Sequence, residues 1–141
     1  MAGLKYDKYI KKSPVGPKRH VEQTADIMNL RGGHDWGGIP LNIRFEVIDN
    51  PFMMITDPHT HTFDQFLGFL GGNVMDALDF TGEVEFYMGE EMEKHVITET
   101  CIIHIPPGLV HGPLNFKKID RPIRFYDIAL TAEYKRTNFT K

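Results

Sequence analysis

Residues 106–115 read PPGLVHGPLN, and they are the most informative ten residues of the chain when taken with HTHTFDQF at residues 59–66. Pro106-Pro107-Gly108 predicts a tight turn, because proline presets φ at the start of a turn and glycine tolerates a positive φ after it. Such a turn redirects the chain just before His111. Either segment alone is weak evidence, but their order on a β-rich chain indicates one shared site.

The histidines of these two segments have the spacing of metal ligands. His59 and His61 are separated by one residue on a strand-like segment, so both imidazoles point to the same face. Gln65 follows four residues later with a carbonyl oxygen, and His111 lies fifty residues beyond His61. Three imidazoles and an oxygen donor predict a mononuclear site for a divalent first-row metal. Imidazoles favour zinc, iron, nickel or copper, and the amide oxygen is also compatible with manganese.

Short β-strand signals surround both segments. Leu41, Ile43, Phe45 and Val47 alternate with polar residues, which is the period of a half-buried strand. Similar signals predict strands at residues 52–56, 83–88, 94–98, 101–105, 114–117 and 123–130. Residues 71–80 lack the pattern and predict a longer, irregular insertion. Many short strands joined by Gly- and Pro-rich turns predict an all-β antiparallel sandwich or barrel.

Residues 1–40 predict an irregular N-terminal arm, which precedes a barrel domain at residues 41–141. Pro14, Pro17 and the glycines of RGGHDWGG at residues 31–38 interrupt any long periodicity, and residues 20–30 are compatible with a short helix or a strand. Six of the 16 Lys and Arg residues fall in the first 20 positions beside a single acid. Few aromatic residues lie among these lysines, so we expect the arm to pack on the barrel or a partner subunit, rather than bind nucleic acid.

Length and composition indicate one globular domain. The chain has 141 residues, of which 41% are hydrophobic and 25% are charged, as in ordinary folded proteins. Cys101 is the single cysteine, which excludes an intrachain disulfide and zinc ribbons built from paired cysteines. No apolar run approaches the roughly 18 residues of a membrane span, and the first residues lack a secretory signal. We therefore expect a cytoplasmic protein that has no membrane partner.

The two informative segments make the chain similar to the cupin superfamily, whose small β-barrels carry two motifs. The first motif is G-x5-H-x-H-x(3,4)-E-x6-G, and its later positions correspond to His59, His61, Gln65 and Gly72. The second is G-x5-P-x-G-x2-H-x3-N, and it is matched without a gap at Pro106, Gly108, His111 and Asn115. The resemblance spans about residues 41–130. It implies a cupin-like antiparallel β-barrel of the jelly-roll type.

Three positions depart from the cupin motifs. Met53 and Thr100 replace the opening glycines, which concerns turn geometry more than chemistry. Gln65 replaces the usual glutamate, so a donor set of three imidazoles and an amide is neutral. A divalent centre then keeps a net charge near +2 rather than near +1, which makes it the stronger Lewis acid. The same change weakens the hold on the metal.

The resemblance implies a metal-dependent enzyme that acts on a small oxygen-rich or carbonyl-containing metabolite. The metal would be one iron, manganese, nickel or zinc ion, and the reaction an isomerisation, a lyase reaction or a dioxygenation. The alternative is a non-catalytic cupin that binds or senses a small ligand. Small cupins commonly pair through sheet edges, so the resemblance also implies a homodimer, which would cover unpaired strand edges.

For three further side chains, the sequence leaves two possible roles open. His104 becomes a general base or a hydrogen-bond partner of the site if its strand face lines the cavity, and otherwise lies on the outer face or at a subunit contact. Arg44 and Arg124 can each clamp an anionic substrate, although surface salt bridges are the simpler expectation for both.

Overall fold

The structure is a computed structural model, and it describes residues 3–140. Its regular elements in this range are a 3-10 turn at Asp7–Tyr9, one short helix, α1 (Gly32–Asp35), and twelve strands. The strands are β1 (Val15–Gly16), β2 (Ile27–Arg31), β3 (Asn42–Ile48), β4 (Phe52–Ile55), β5 (His59–Thr60), β6 (Gln65–Gly71), β7 (Gly82–Met88), β8 (Glu93–Ile97), β9 (Cys101–Ile105), β10 (His111–Ile119), β11 (Ile123–Ala129) and β12 (Thr137–Asn138).

The strands form two antiparallel sheets that face each other across the core, as in a jelly-roll barrel. One sheet has the order β1-β2-β3-β11-β6-β9. The other has the order β12-β5-β10-β7-β8, and β4 pairs with β10 beside it. The predicted all-β jelly-roll class is therefore confirmed. No helix within residues 3–140 has the length and hydropathy needed to cross a membrane.

The core is built from alternating residues of both sheets. In β11 every second residue is buried, and its inward row is Ile123, Phe125, Asp127 and Ala129. Four phenylalanines are almost completely excluded from solvent, namely Phe69, Phe86, Phe116 and Phe125. In β11 the same alternation that fills the core therefore brings the carboxylate of Asp127 to the inside of the barrel.

Strand β10 is longer than its sequence pattern predicts. We expected a strand at residues 114–117, whereas β10 begins at His111 and ends at Ile119. Gly112 and Pro113 interrupt the hydrophobic alternation, but the pairing with β7 shifts register between His111 and Leu114, and such a bulge lets a strand continue past an irregular pair. His111 is thereby the first residue of a strand instead of the last residue of a loop.

The N-terminal arm contains a strand that joins the sheet. Of the two alternatives for residues 20–30, the structure contains the strand, because β2 pairs with β3 and places Met28 opposite Phe45. Further contacts join the arm to the barrel, since Gln23 is buried and its Nε2 donates to Glu46 Oε1 over 3.0 Å. Residues 72–81 form the irregular connection between β6 and β7 that the sequence predicts.

Candidate metal centre

Three buried histidines meet inside the barrel. His59 in β5 lies opposite His111 in β10, and His61 follows β5 directly. One ring nitrogen from each histidine lies within 4.8 Å of the corresponding nitrogens of the other two. The ring centroids of His59 and His111 are 4.3 Å apart, and that of His61 lies 4.9 Å from His59. These three histidines could bind one metal ion.

The turn that precedes His111 fastens the two histidine segments together. Leu109 N donates to Pro106 O over 3.2 Å, which closes the predicted Pro-Pro-Gly turn. Gly108 N donates to His61 O over 2.9 Å, so the turn rests on the earlier segment. Gly108 has φ of 82°, a left-handed conformation that strongly favours glycine at this position.

Each histidine is oriented by a backbone carbonyl. Nδ1 of His59 lies 3.1 Å from Asp57 O, Nδ1 of His111 lies 2.9 Å from Leu109 O, and Nδ1 of His61 lies 2.5 Å from Lys135 O. A carbonyl oxygen only accepts hydrogen bonds, so each Nδ1 carries the proton and each Nε2 keeps its lone pair. This is the arrangement in which proteins hold metal-binding histidines.

Burial keeps the three imidazoles neutral. It lowers the pKa of His59 and His61, and it lowers the pKa of His111 to about 4. A histidine binds a metal through its neutral form, so burial favours a binding-competent cluster at neutral pH. The nearby Arg136 guanidinium contributes in the same direction at His59 and His61.

Gln65 has the position and the orientation of an oxygen donor. It begins β6, is buried, and its Nε2 donates to Asp127 Oδ1 over 2.8 Å. Because a carboxylate only accepts hydrogen bonds, this contact fixes which end of the amide is nitrogen. Gln65 Oε1 and His111 Nε2 are buried and have no hydrogen-bond partner among the described residues. Both residues line one cavity of about 110 Å³, so two unpaired acceptor atoms fit a metal ligand set.

Several residues that line the cavity were missed from the sequence, among them Tyr134, Asp127 and Arg136. Tyr134 lies in the segment after β11, and its hydroxyl is 3.2 Å from His61 Nε2 and 3.3 Å from Gln65 Nε2. Burial raises the pKa of the Tyr134 hydroxyl, so it stays protonated at neutral pH. No sequence pattern indicates Tyr134, because 73 residues separate it from His61. Asp127 could have been found, since it occupies an inward position of the alternating strand β11.

The other predicted residues divide between the cavity and the surface. Arg44 lines the cavity and pairs with Asp127. Arg124 lies elsewhere, and its Nε donates to Gly71 O over 2.9 Å. His104 is exposed on the outer face of β9, where its Nε2 lies 2.6 Å from Asp64 Oδ1. Its place outside the cavity argues against the general-base role and in favour of the outer-face alternative.

Comparisons with known proteins support the fold. No protein-family model matches the chain. No curated protein sequence matches it at a significant level. Among solved structures, the polyketide cyclase RemF from Streptomyces resistomycificus is 16% identical with a TM-score of 0.58, and the match covers 94% of this chain and 84% of that one. A cupin-like protein from Thermotoga maritima is 14% identical with a TM-score of 0.55, and the match covers 94% and 90% of the two chains.

A third match is a recombinant oxalate oxidase in complex with glycolate. It is 13% identical with a TM-score of 0.58, and the match covers 93% of this chain and 63% of that chain. The fold and the histidine cluster together define a small β-barrel protein with a site that could hold a metal. The chain has the cupin fold, as its two motifs predict.

Proposed function

We propose that this protein is a metal-dependent enzyme that acts on a small molecule, with one divalent first-row metal bound by His59, His61, Gln65 and His111. One observation carries the proposal. All three imidazoles donate Nδ1–H to backbone carbonyls, so each Nε2 is an acceptor, and one ring nitrogen of each histidine lies within 4.8 Å of those of the other two. His111 Nε2 is buried without a hydrogen-bond partner, and His61 Nε2 accepts from the Tyr134 hydroxyl. Neutral, buried imidazoles whose Nδ1–H groups are held by carbonyls have the orientation of metal-binding histidines, and the unpaired His111 Nε2 lacks the partner that a buried acceptor normally has.

The chain's own residues prepare this site for chemistry on an oxygen-bearing substrate. A divalent ion bound there would supply Lewis-acid polarisation of a carbonyl or carboxylate oxygen. Asp127 holds the Gln65 amide in one orientation. The protonated Tyr134 hydroxyl donates to His61 Nε2, and a metal bound by that nitrogen would leave the hydroxyl free to donate a hydrogen bond or a proton to an oxygen in the cavity. The neutral donor set favours an isomerase or lyase over a dioxygenase, because neutral ligands do little to stabilise a higher oxidation state.

The structural neighbours are compatible with an enzyme. One is a polyketide cyclase and another is an oxalate oxidase, and each name describes catalysis on a small molecule. Fold likeness at these identities does not transfer a reaction, so the proposal depends on the residues of the cavity.

Elemental analysis of protein purified without an affinity tag tests the proposal. We expect about one iron, manganese, nickel or zinc ion per chain, and its loss in His111→Ala. His104→Ala is the matched control, because His104 is an exposed histidine outside the cavity and should keep the metal. Circular dichroism establishes that both variants are folded. A wild-type protein that takes up no metal, even after reconstitution, would overturn the proposal.

The alternative of a non-catalytic, ligand-binding cupin makes a different prediction. Such a protein binds a small ligand without turning it over, and it needs no acid or base in the cavity. The Tyr134 hydroxyl oxygen is 3.2 Å from His61 Nε2, and it would become a free proton donor beside the site once that nitrogen bound a metal, which favours the enzyme. If Tyr134→Phe left turnover of an identified substrate unchanged, this argument for catalysis would be lost.

We also propose that the protein forms a homodimer. Val15, Met28 and Ile39 are exposed apolar side chains on or beside the β1–β2 end of one sheet, where a second copy could cover them. Light scattering after size exclusion measures the mass, and a monomer would contradict the homodimer.

The proposed location is the cytoplasm. A single cysteine suits a reducing compartment, and cell fractionation tests that location.

A further inference from the structure

We infer that the substrate of this site is a small carboxylic acid, whose carboxylate is bound by Arg136 in the cavity that also contains His59 and His111. This inference rests on the proposed metal-dependent function. It adds the chemical class of the substrate and a residue that selects for it.

The charges around the cavity are unbalanced. Three arginines line it, namely Arg19, Arg44 and Arg136, whereas Asp127 is the only acid that lines it among residues 3–140. Asp127 pairs with Arg44. Behind it the buried Glu46 lies 3.3 Å from the Arg19 guanidinium and 3.8 Å from that of Arg44. Two carboxylates therefore face three guanidinium groups, and one positive charge is left over.

The unbalanced charge belongs to Arg136. Within residues 3–140 no carboxylate forms an ion pair with Arg136, whereas Arg19 pairs with Glu46 and Arg44 pairs with both Glu46 and Asp127. Its backbone position is defined, because the neighbouring Lys135 carbonyl binds His61 Nδ1 and β12 begins at the next residue. The planar fork of an arginine matches the two oxygens of a carboxylate.

Because the proposed metal ligands are neutral, the charge of a bound metal ion would favour an anionic substrate. Three imidazoles and the Gln65 amide contribute no negative charge, so a divalent ion would add two positive charges to the excess one. Arg136 is itself exposed, so the charge removed from water is that of the ion, whose ligands His59, His61, Gln65 and His111 are all buried. Such a charge is costly unless an anion compensates for it, and Arg136 lies where that anion would be bound. An anionic substrate would supply that compensation, and a neutral one of the same shape would not.

The rest of the lining indicates an organic acid. Met54, Ile55, Leu67 and Phe125 are apolar and line the same cavity as the arginines. A ligand that fills the cavity would therefore place apolar carbon atoms against these side chains and an anionic group against the arginines. The volume of about 110 Å³ suits a molecule of a few non-hydrogen atoms rather than a sugar phosphate or a nucleotide.

Calorimetry with three probes tests the class of ligand. Protein reconstituted with manganese(II), and shown by elemental analysis to contain it, is titrated with lactate, with its neutral isostere lactamide, and with sulfate. We expect lactate to bind about tenfold or more tightly than lactamide, because only lactate forms the charge-assisted pair with arginine. Sulfate should bind more weakly than lactate, since it leaves the apolar wall uncovered.

Two arginine variants test the residue. Arg136→Gln should weaken lactate binding about tenfold and leave manganese content and lactamide binding unchanged. Arg121→Gln is the matched control, because Arg121 is an exposed arginine that pairs with Asp79 and does not line the cavity; it should bind lactate like the wild type. Arg136→Lys should recover part of the affinity, since the charge returns without the fork.

The outcomes separate this inference from the proposed function. Equal binding of lactate and lactamide, tighter binding of sulfate, no binding of any probe, or full lactate affinity in Arg136→Gln would each overturn the carboxylate assignment. All four would be measured on protein that contains its metal, so the proposed metal site would stand. Protein that takes up no manganese or other metal would overturn the proposed function itself, before any titration.

Discussion

Gln65 shows how a neighbouring side chain sets the chemistry of a single residue. Its amide nitrogen donates to Asp127 Oδ1 over 2.8 Å, and Asp127 in turn pairs with Arg44. The cupin motif usually has glutamate where this chain has Gln65. A glutamate here would place a second carboxylate against Asp127, so the glutamine and the aspartate are chemically matched.

This pairing predicts the behaviour of Gln65→Glu. The added charge should favour metal binding, but in metal-free protein it faces Asp127, and we expect the free energy of unfolding at pH 7 to fall by about 1–3 kcal/mol. The double variant Gln65→Glu/Asp127→Asn restores a donor for the new carboxylate. It should recover stability and bind the metal more tightly than either single variant. Chemical denaturation and metal competition titrations measure both quantities, and a double variant that binds metal more weakly than the wild type would contradict Gln65 as a ligand.

At the scale of the elements, the C-terminal segment after β11 is part of the site. Lys135 O accepts from His61 Nδ1, the Tyr134 hydroxyl contacts His61 Nε2, and β12 pairs with β5 where His59 lies. Phe139 N also donates to Pro58 O over 3.0 Å. The segment therefore orients a histidine that it does not itself contain.

Removal of residues 131–141 should weaken metal binding. Loss of the carbonyl that orients a metal-binding histidine typically costs about 10–100-fold in affinity. We expect a loss of this size in the truncated protein, with a β-sheet circular dichroism spectrum that is retained. Deletion of residues 140–141 alone keeps β12 and should leave the metal affinity unchanged. Equal affinities in the two truncated proteins would show that the segment does not orient His61.

Within the N-terminal arm, the basic first residues are attached to α1 and to the residue after it. Lys11 Nζ lies 2.6 Å from Asp35 Oδ2, and the same oxygen accepts from Arg31 N over 2.8 Å. Trp36 Nε1 donates to Lys8 O over 2.9 Å. Trp36 is the only tryptophan of the chain, so its fluorescence reports on this attachment.

The attachment within the arm should depend on pH. The Lys11 ammonium, and next the Arg31 amide, hold the pKa of Asp35 well below its ordinary value of about 3.9. A carboxyl group whose pKa is lowered by folding contributes stability above its unfolded pKa, and this contribution is lost as the pH falls below about 4. We expect Trp36 emission in the wild type to stay constant from pH 6 to pH 4 and to change only below pH 4, as the pH approaches the lowered pKa of Asp35. In Asp35→Asn it should have the low-pH value throughout, and a wild-type-like transition in that variant would exclude Asp35 as its origin.

At the scale of the whole molecule, the barrel has an apolar core that is built without the three histidines. The rings of Phe69 and Phe125 are 5.3 Å apart, and those of Phe116 and Phe125 are 5.6 Å apart. Burial of each such side chain contributes about 1.5–3 kcal/mol. The histidine cluster is buried beside this core, so a metal there would add to the stability of a barrel that already folds.

Metal removal should therefore lower the melting temperature without unfolding the protein. A metal present at about 100 times its Kd stabilises the folded state by about 2.7 kcal/mol. For a chain of this length we expect a chelator to lower the melting temperature by roughly 5–10 °C. His111→Ala should show no such difference with and without chelator in scanning calorimetry. Complete unfolding of the wild type on chelation would instead make the metal a structural requirement.

Most strands and the histidines of the site could be predicted from local sequence patterns. The strand at Cys101–Ile105 has the predicted bounds, β11 ends one residue before its predicted end, and β3 begins and ends one residue later than the alternation of Leu41 to Val47. Period-two alternation and turn residues depend only on residues that are neighbours in the chain, so strands and turns can be predicted from the sequence. His59 and His61 could be predicted to share a strand face for the same reason. The cupin motifs then predicted that His111 joins them at one site.

The residues that complete the site depend on folding alone. Tyr134, Arg136 and the Lys135 carbonyl come from a segment without a recognisable motif, and they meet His59 and His61 only because β12 pairs with β5. A backbone carbonyl has no sequence signature at all. The charge excess around Arg136 likewise arises from three arginines that are up to 117 positions apart, Arg19 to Arg136. Contacts of such sequence separation are set by sheet register and barrel closure, which no local pattern specifies.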